Sequence, residues 1–181
     1  MVTRTQIPNL LTYGRVAAVP VSLLIILLQP SLHGLLFVLF IAASMTDFLD
    51  GYLARKWNAV SPMGALLDPI ADKLLVALML LYLMMYYGLS ILPVSVIILR
   101  ELYISGLREF LANKNIQLPV SKGGKLKTSL QMSGIGLMLL AAWMPSLDMA
   151  LTFGDYVIWA AAVVSLATAI DYTKKSLKYI R

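Results

Sequence analysis

Apolar residues gather in six runs, at about residues 10–28, 35–45, 74–87, 89–99, 130–144 and 156–170. A helix needs about 20 residues to cross the hydrocarbon core of a bilayer. Several of the runs reach that length only by taking in polar neighbours, so the pattern predicts about six helices, some with polar ends. Pro30, Ser31, His33 and Gly34 form one expected connection, residues 88–93 a second and residues 145–154 a third. Ser61 followed by Pro62 suits the cap and first position of a helix. A helix over about residues 35–56 would therefore hand over to one beginning at residue 62. No internal repeat, low-complexity tract or long linker divides the chain, and residues 1–181 are expected to form a single domain.

Composition turns these helices into membrane helices. The 181 residues are 60% hydrophobic and 13% charged, with a mean hydropathy of +0.81, outside the range of soluble globular domains. The three connections named above hold no Lys or Arg. The alternate connections hold Arg55 and Lys56, then Arg108, Lys114, Lys122, Lys125 and Lys127, and the termini hold Arg4, Arg15, Lys174, Lys175, Lys178 and Arg181. The positive-inside rule then expects both termini and both basic connections in the cytoplasm. A net charge of +6 invites a nucleic-acid reading, but these cations track the inner helix ends, where anionic headgroups lie, and no nucleic-acid partner is expected. Cysteine is absent, which excludes a disulfide framework and a thiolate metal site. Residues 1–9 are polar and no small-residue cleavage site stands out after Leu28, so the first apolar run is expected to remain as a helix.

Within this apolar chain stand four carboxylates in a fixed string, D-x2-D-G-x2-A-R-x8-G-x3-D-x3-D, from Asp47 to Asp72. An ionised group at the centre of a membrane helix costs roughly 2.5–3.5 kcal/mol on insertion scales, so such residues default to function. Asp47, Asp50, Gly51 and Ala54 recur at steps of three and four and share one helical face, as do Gly64, Asp68 and Asp72 on the next helix. The two stripes are expected to face each other across a short turn, with Pro69 freeing the carbonyl of Ala65 and kinking the second helix. Converging carboxylates repel unless a cation compensates them. Oxygen ligands suit Mg2+, Mn2+ or Ca2+, and paired ions of this kind recur where displacement occurs at phosphorus. Gly51, Ala54 and Gly64 would let a bulky ligand approach, and Arg55 would engage a diphosphate. Small residues also serve helix packing, and an acidic pair at a helix end also forms salt bridges, here to Arg55 or Lys73. The combination of four acids and intervening small residues favours the site.

That string resembles the signature of the CDP-alcohol phosphotransferases, a family of integral membrane enzymes, and every defining position is filled. The resemblance implies six transmembrane helices, usually in a homodimer, and two Mg2+ or Mn2+ ions per site. It implies that Asp47, Asp50 and Asp68 ligate the metals, and that Asp72 ligates one of them and takes the proton of the acceptor hydroxyl. Asp50, Gly51, Ala54, Arg55 and Gly64 would line the site for the cytidine diphosphate headgroup.

The acceptor must come from the rest of the chain. Arg100 interrupts an apolar run, Arg108 follows two turns later, and residues 121–128 supply Lys122, Lys125 and Lys127. A neutral or zwitterionic acceptor needs no such set, whereas a phosphorylated one does; pairing of Arg100 with Glu101 is the plainer alternative. Residues 8–12 with Arg15, residues 100–109, and residues 124–128 with Gln131 look like those of the bacterial phosphatidylglycerophosphate synthases within the family. This likeness implies CDP-diacylglycerol as donor, with Asn9 and Thr12 joining its binding set, and sn-glycerol 3-phosphate as acceptor. Arg100, Arg108, Lys125 and Lys127 are the expected acceptor-phosphate ligands. It also implies a multi-pass protein of the inner, cytoplasmic membrane with its active site facing the cytoplasm. Competing readings are a family member using inositol phosphate, serine or phosphatidylglycerol, an intramembrane prenyltransferase, and a cation transporter. His33, the only histidine, is expected in an outer loop without a catalytic role. Trp143 and Trp159 are expected as interfacial anchors, and the ten methionines as packing or lipid-facing residues.

Overall fold

The computed structural model describes the backbone of residues 7–57, 62–116 and 122–180, and the side chains of residues 10–46, 63–64, 66–116 and 123–179. Among these residues the chain is helical, without strands: α1 (Ile7–Leu28), α2 (His33–Trp57), α3 (Pro62–Tyr87), α4 (Ile91–Asn113), α5 (Lys122–Trp143) and α6 (Asp148–Ile180), the last preceded by a 3-10 turn at Pro145–Leu147. Local chemistry accounts for the ends. Pro62 opens α3, where its missing N–H costs nothing. Ser90 caps α4 by accepting from the Leu92 N–H at 3.4 Å, and Gly88, at φ 72°, turns the chain between α3 and α4. The end of α4 is closed by the Lys114 N–H donating to the Leu111 carbonyl at 3.0 Å, with Asn115 in the left-handed region at φ 58°. Asp148 in the first turn of α6 meets the positive end of the helix dipole. α3 continues through Pro69 as one helix.

Three expected connections are shorter than the sequence pattern suggests. His33 and Gly34 belong to the first turn of α2, Pro93 to the first turn of α4, and residues 148–154 to α6. Proline is tolerated in a first helical turn. Gly34 is small because the Trp143 indole occupies the space of a Cβ, only 2.6 Å from where that atom would sit. His33 is held rather than loose: its Nδ1 lies 2.6 Å from the Tyr82 hydroxyl, which donates to the Pro30 carbonyl at 3.1 Å, and 3.0 Å from the Tyr87 hydroxyl.

The core joins Leu36 and Phe40 of α2, Met79, Leu80 and Leu83 of α3, Ile97 of α4, Ile135 and Leu139 of α5 and Ile158 of α6. α1 packs on α2 and α3, α2 and α3 pack on α5, and α6 receives both α4 and α5. The α5–α6 pair is the tightest. It crosses at Gly134 and Gly154, where a Cβ on Gly154 would stand 2.6 Å from the Met138 side chain and 3.1 Å from the Gly134 carbonyl. α2 and α3 touch each other only slightly, although they adjoin in sequence, and α1 spans both. The exterior is apolar: Leu27, Leu28, Leu99, Leu102 and Val163 are each more than 60% exposed. Such a surface is costly in water, at about 25 cal/mol per Å², and suits lipid. Leu10–Leu28 and Pro145–Tyr179 are long and apolar enough to cross a bilayer. The described residues are thus helical, with an apolar exterior and two span-length helices that suit a membrane.

The glycine crossing makes a direct prediction. Gly154→Val should force α5 from α6 and lower stability by about 1–3 kcal/mol, read as a lower melting temperature in detergent. Gly106→Ala on α4, where a Cβ meets nothing within 4 Å, should cause no such loss.

Candidate active site

The acidic string falls on two helices. Asp47, Asp50, Gly51, Ala54 and Arg55 lie in the last turns of α2, while Gly64, Asp68 and Asp72 lie in the first half of α3. The side chains of the five α2 residues, and that of Asn9 in the first turn of α1, lie outside the described residues. On α3, Gly64 is buried, and Asp68 and Asp72 are half-buried, one turn apart. α1 supplies the charge that faces them. Arg15, with 1% of its side chain exposed, places Nη1 3.7 Å from Asp68 Oδ1, and Thr12, one turn earlier, is buried as well.

Asp68 Oδ1 is buried and accepts no hydrogen bond. A buried carboxylate oxygen without a donor is an available lone pair, which a hard divalent cation satisfies as well as a proton donor does. No group of three or more potential metal ligands converges among the described residues, since Asp68 and Asp72 are the two acids of the string among them. The carboxylate oxygens of Asp68 and Asp72 fit a hard, oxygen-loving ion such as Mg2+ or Mn2+.

Beside this acidic edge lies a basic cluster drawn from three helices. On α4, Arg100 Nη1 donates to Glu101 Oε1 at 3.0 Å, and Arg100 Nη2 to Thr168 of α6 at 3.4 Å. Lys127 of α5, with 8% of its side chain exposed, donates to the same Glu101 oxygen. Lys73 of α3, next to Asp72, donates to Ser105 Oγ at 2.5 Å, and Ser105 in turn donates to the Glu101 carbonyl at 2.7 Å. The charges of Asp72, Arg100 and Lys73 all act on Lys127, so the predicted base and the basic cluster share one electrostatic neighbourhood. Arg108 sits at the exposed edge of α4 with its guanidinium 5.3 Å from the centre of the Tyr172 ring, and its charge acts on Lys73 and Arg100.

The structure thus brings together Arg100 and Lys127 but separates Lys127 from Lys125. Two residues apart on a helix point to opposite sides, and Lys125 is exposed where Lys127 is buried. The expected alternative of an Arg100–Glu101 pair is also present, but Glu101 holds Lys127 too. Ser105 gained a place in the site only from the fold, which also fixed the roles of three residues the sequence had merely named: Arg15 partners Asp68, and Lys73 and Glu101 frame the basic cluster. Their sequence signal was faint, a single charge or hydroxyl inside an apolar helix.

Relatives of the chain agree with this chemistry. The chain is 40% identical over 175 residues to the CDP-diacylglycerol--glycerol-3-phosphate 3-phosphatidyltransferase of Rickettsia bellii, covering 96% of this chain and 97% of that one. Enzymes of the same name from Escherichia coli strain K12 and Bacillus subtilis are 37% and 33% identical, over 92% and 97% of both partners respectively. Residues 5–172 match the profile of the CDP-alcohol phosphatidyltransferases. With that profile covering most of its length, the chain belongs to the CDP-alcohol phosphatidyltransferase family.

Proposed function

We propose that this protein transfers the phosphatidyl group of CDP-diacylglycerol to sn-glycerol 3-phosphate, releasing CMP and phosphatidylglycerophosphate. The observation that carries the acceptor assignment is the buried Lys127 with the largely buried Arg100, in the same electrostatic neighbourhood as Asp72. Cations withdrawn from water at such cost serve an anionic group, and the names of the relatives supply the matching substrate. Asp72 takes the proton of the acceptor's primary hydroxyl as its oxygen attacks the phosphorus that bears diacylglycerol. The bond from that phosphorus to the CMP oxygen breaks. Arg100 and Lys127 hold the acceptor's phosphate, with Arg108 and Lys125 at the rim, so that the hydroxyl is presented to Asp72. Asp47, Asp50, Asp68 and Asp72 would hold two Mg2+ or Mn2+ ions, which supply positive charge to the diphosphate. Thr12, Gly64, Gly51, Ala54, Arg55 and Asn9 form the donor side. Arg15 balances Asp68 from α1.

The membrane arrangement in this reading is one domain of six spans, with both termini and the active site on the cytoplasmic side of the inner membrane, assembled as a homodimer. Its support is the distribution of Lys and Arg and a substrate pair of which one member stays in lipid while the other arrives from the cytoplasm.

Three measurements test this reading. Asp68→Asn and Asp72→Asn should each lower CMP release about 10²–10⁴-fold while the protein still elutes as a folded species in detergent; full activity in either removes the acidic site. In a panel of acceptors, release should depend on glycerol 3-phosphate rather than inositol phosphate or serine, and Lys127→Ala should raise the KM for it about tenfold or more, with a smaller change for Lys125→Ala. Because the chain has no cysteine, Ser31→Cys and Lys178→Cys can be labelled singly in intact cells. A membrane-impermeant maleimide should reach the first from outside and the second only after the membrane is opened.

A further inference from the structure

α4 and α5 make no backbone contact with each other among the described residues; each is held by α6. The pair formed by Lys127 and Glu101 therefore joins two helices whose backbones do not approach each other. Glu101 Oε1 receives two cations at once, Arg100 from its own helix and Lys127 from α5. Lys127 is buried and Arg100 largely so, and two like charges so close repel strongly unless a carboxylate stands between them. The backbone of Glu101 is tied in as well: Ser105 donates to the Glu101 carbonyl and accepts from Lys73 of α3. The backbone of Glu101 is thus connected to the helix of Asp72, and its side chain to the helix of Lys127.

We infer that Glu101 is the positioning residue of the acceptor site, converging Arg100 and Lys127 on one point so that a phosphate monoester meets two cations already in place. This rests on the acceptor reading given above. Without Glu101 the two cations separate, and the phosphate must assemble them during binding, at a cost that appears in affinity rather than in the chemical step. Two cations held on one carboxylate offer a phosphorylated acceptor a paired site that a neutral polyol does not use.

The test is steady-state CMP release by the full chain in mixed micelles with CDP-diacylglycerol. Glu101→Gln, of nearly the same shape, should raise the KM for glycerol 3-phosphate about tenfold, leave kcat within about threefold and leave the KM for CDP-diacylglycerol unchanged. Glu101→Asp keeps the charge and should recover part of the loss, with a KM between wild type and Glu101→Gln; it carries the test on its own should the glutamine variant not fold. In a Lys127→Ala background, Glu101→Gln should change the acceptor KM clearly less than it does in the wild type, because only Arg100 is then left for it to position. An unchanged acceptor KM in Glu101→Gln, a fall in kcat alone, or the same fold-change with and without Lys127 would each overturn the positioning role. If Lys127→Ala by itself leaves the acceptor KM at the wild-type value, the acceptor site is misassigned and the inference falls with it.

Discussion

A charge taken into an apolar helical bundle must meet an opposite charge, and the arrangement of this protein follows from that constraint. Lys127, buried, and Arg100, largely so, lie on different helices and are reconciled by one carboxylate, that of Glu101. Removing one member of such a set would leave an uncompensated charge, which is far costlier than losing an ordinary surface ion pair. The same logic acts on the acidic side, where Arg15 of α1 faces Asp68 of α3. Arg15 with Asp68 and Lys127 with Glu101 each join residues distant in sequence. The polar site thereby selects which helices must lie near one another.

Packing supplies the rigid frame for those pairs. The crossing of α5 and α6 at Gly134 and Gly154 brings the two helices close enough for backbone to meet side chain. α4 also packs on α6, and Lys127 and Glu101 meet although the backbones of their helices do not approach each other. At the far end of α3, the hydroxyls of Tyr82 and Tyr87 and the His33 ring join the start of α2 to the end of α3.

Much of this was legible in the sequence, for reasons that are local. Six apolar runs mark six helices because burial along a helix needs sustained apolarity, and Pro62 marks the beginning of α3 because proline fits a first helical position. The acids of the string share a face through spacing alone. Ends of helices were less legible. His33, Gly34, Pro93 and residues 148–154 read as connections yet are helical, because tertiary contacts such as Trp143 over Gly34 outweigh the residues' local preference for turns. Lys125 and Lys127 looked equivalent as members of one basic segment, although helix geometry sends them to opposite sides.

The sequence by itself determined the helical, membrane-bound character of the chain and the family it belongs to, together with the positions of its acids and cations along each helix. Those properties depend on composition and on spacing within single elements, where the geometry is known in advance. Tertiary structure alone decided that α1 brings Arg15 to Asp68, that Lys73 turns to Ser105, and that Glu101 of α4 gathers Lys127 of α5 beside Arg100. Each of these joins residues on different helices, and their meeting depends on the rotation and crossing of whole helices. Those are set by the sum of many core contacts, and no short stretch of sequence encodes them.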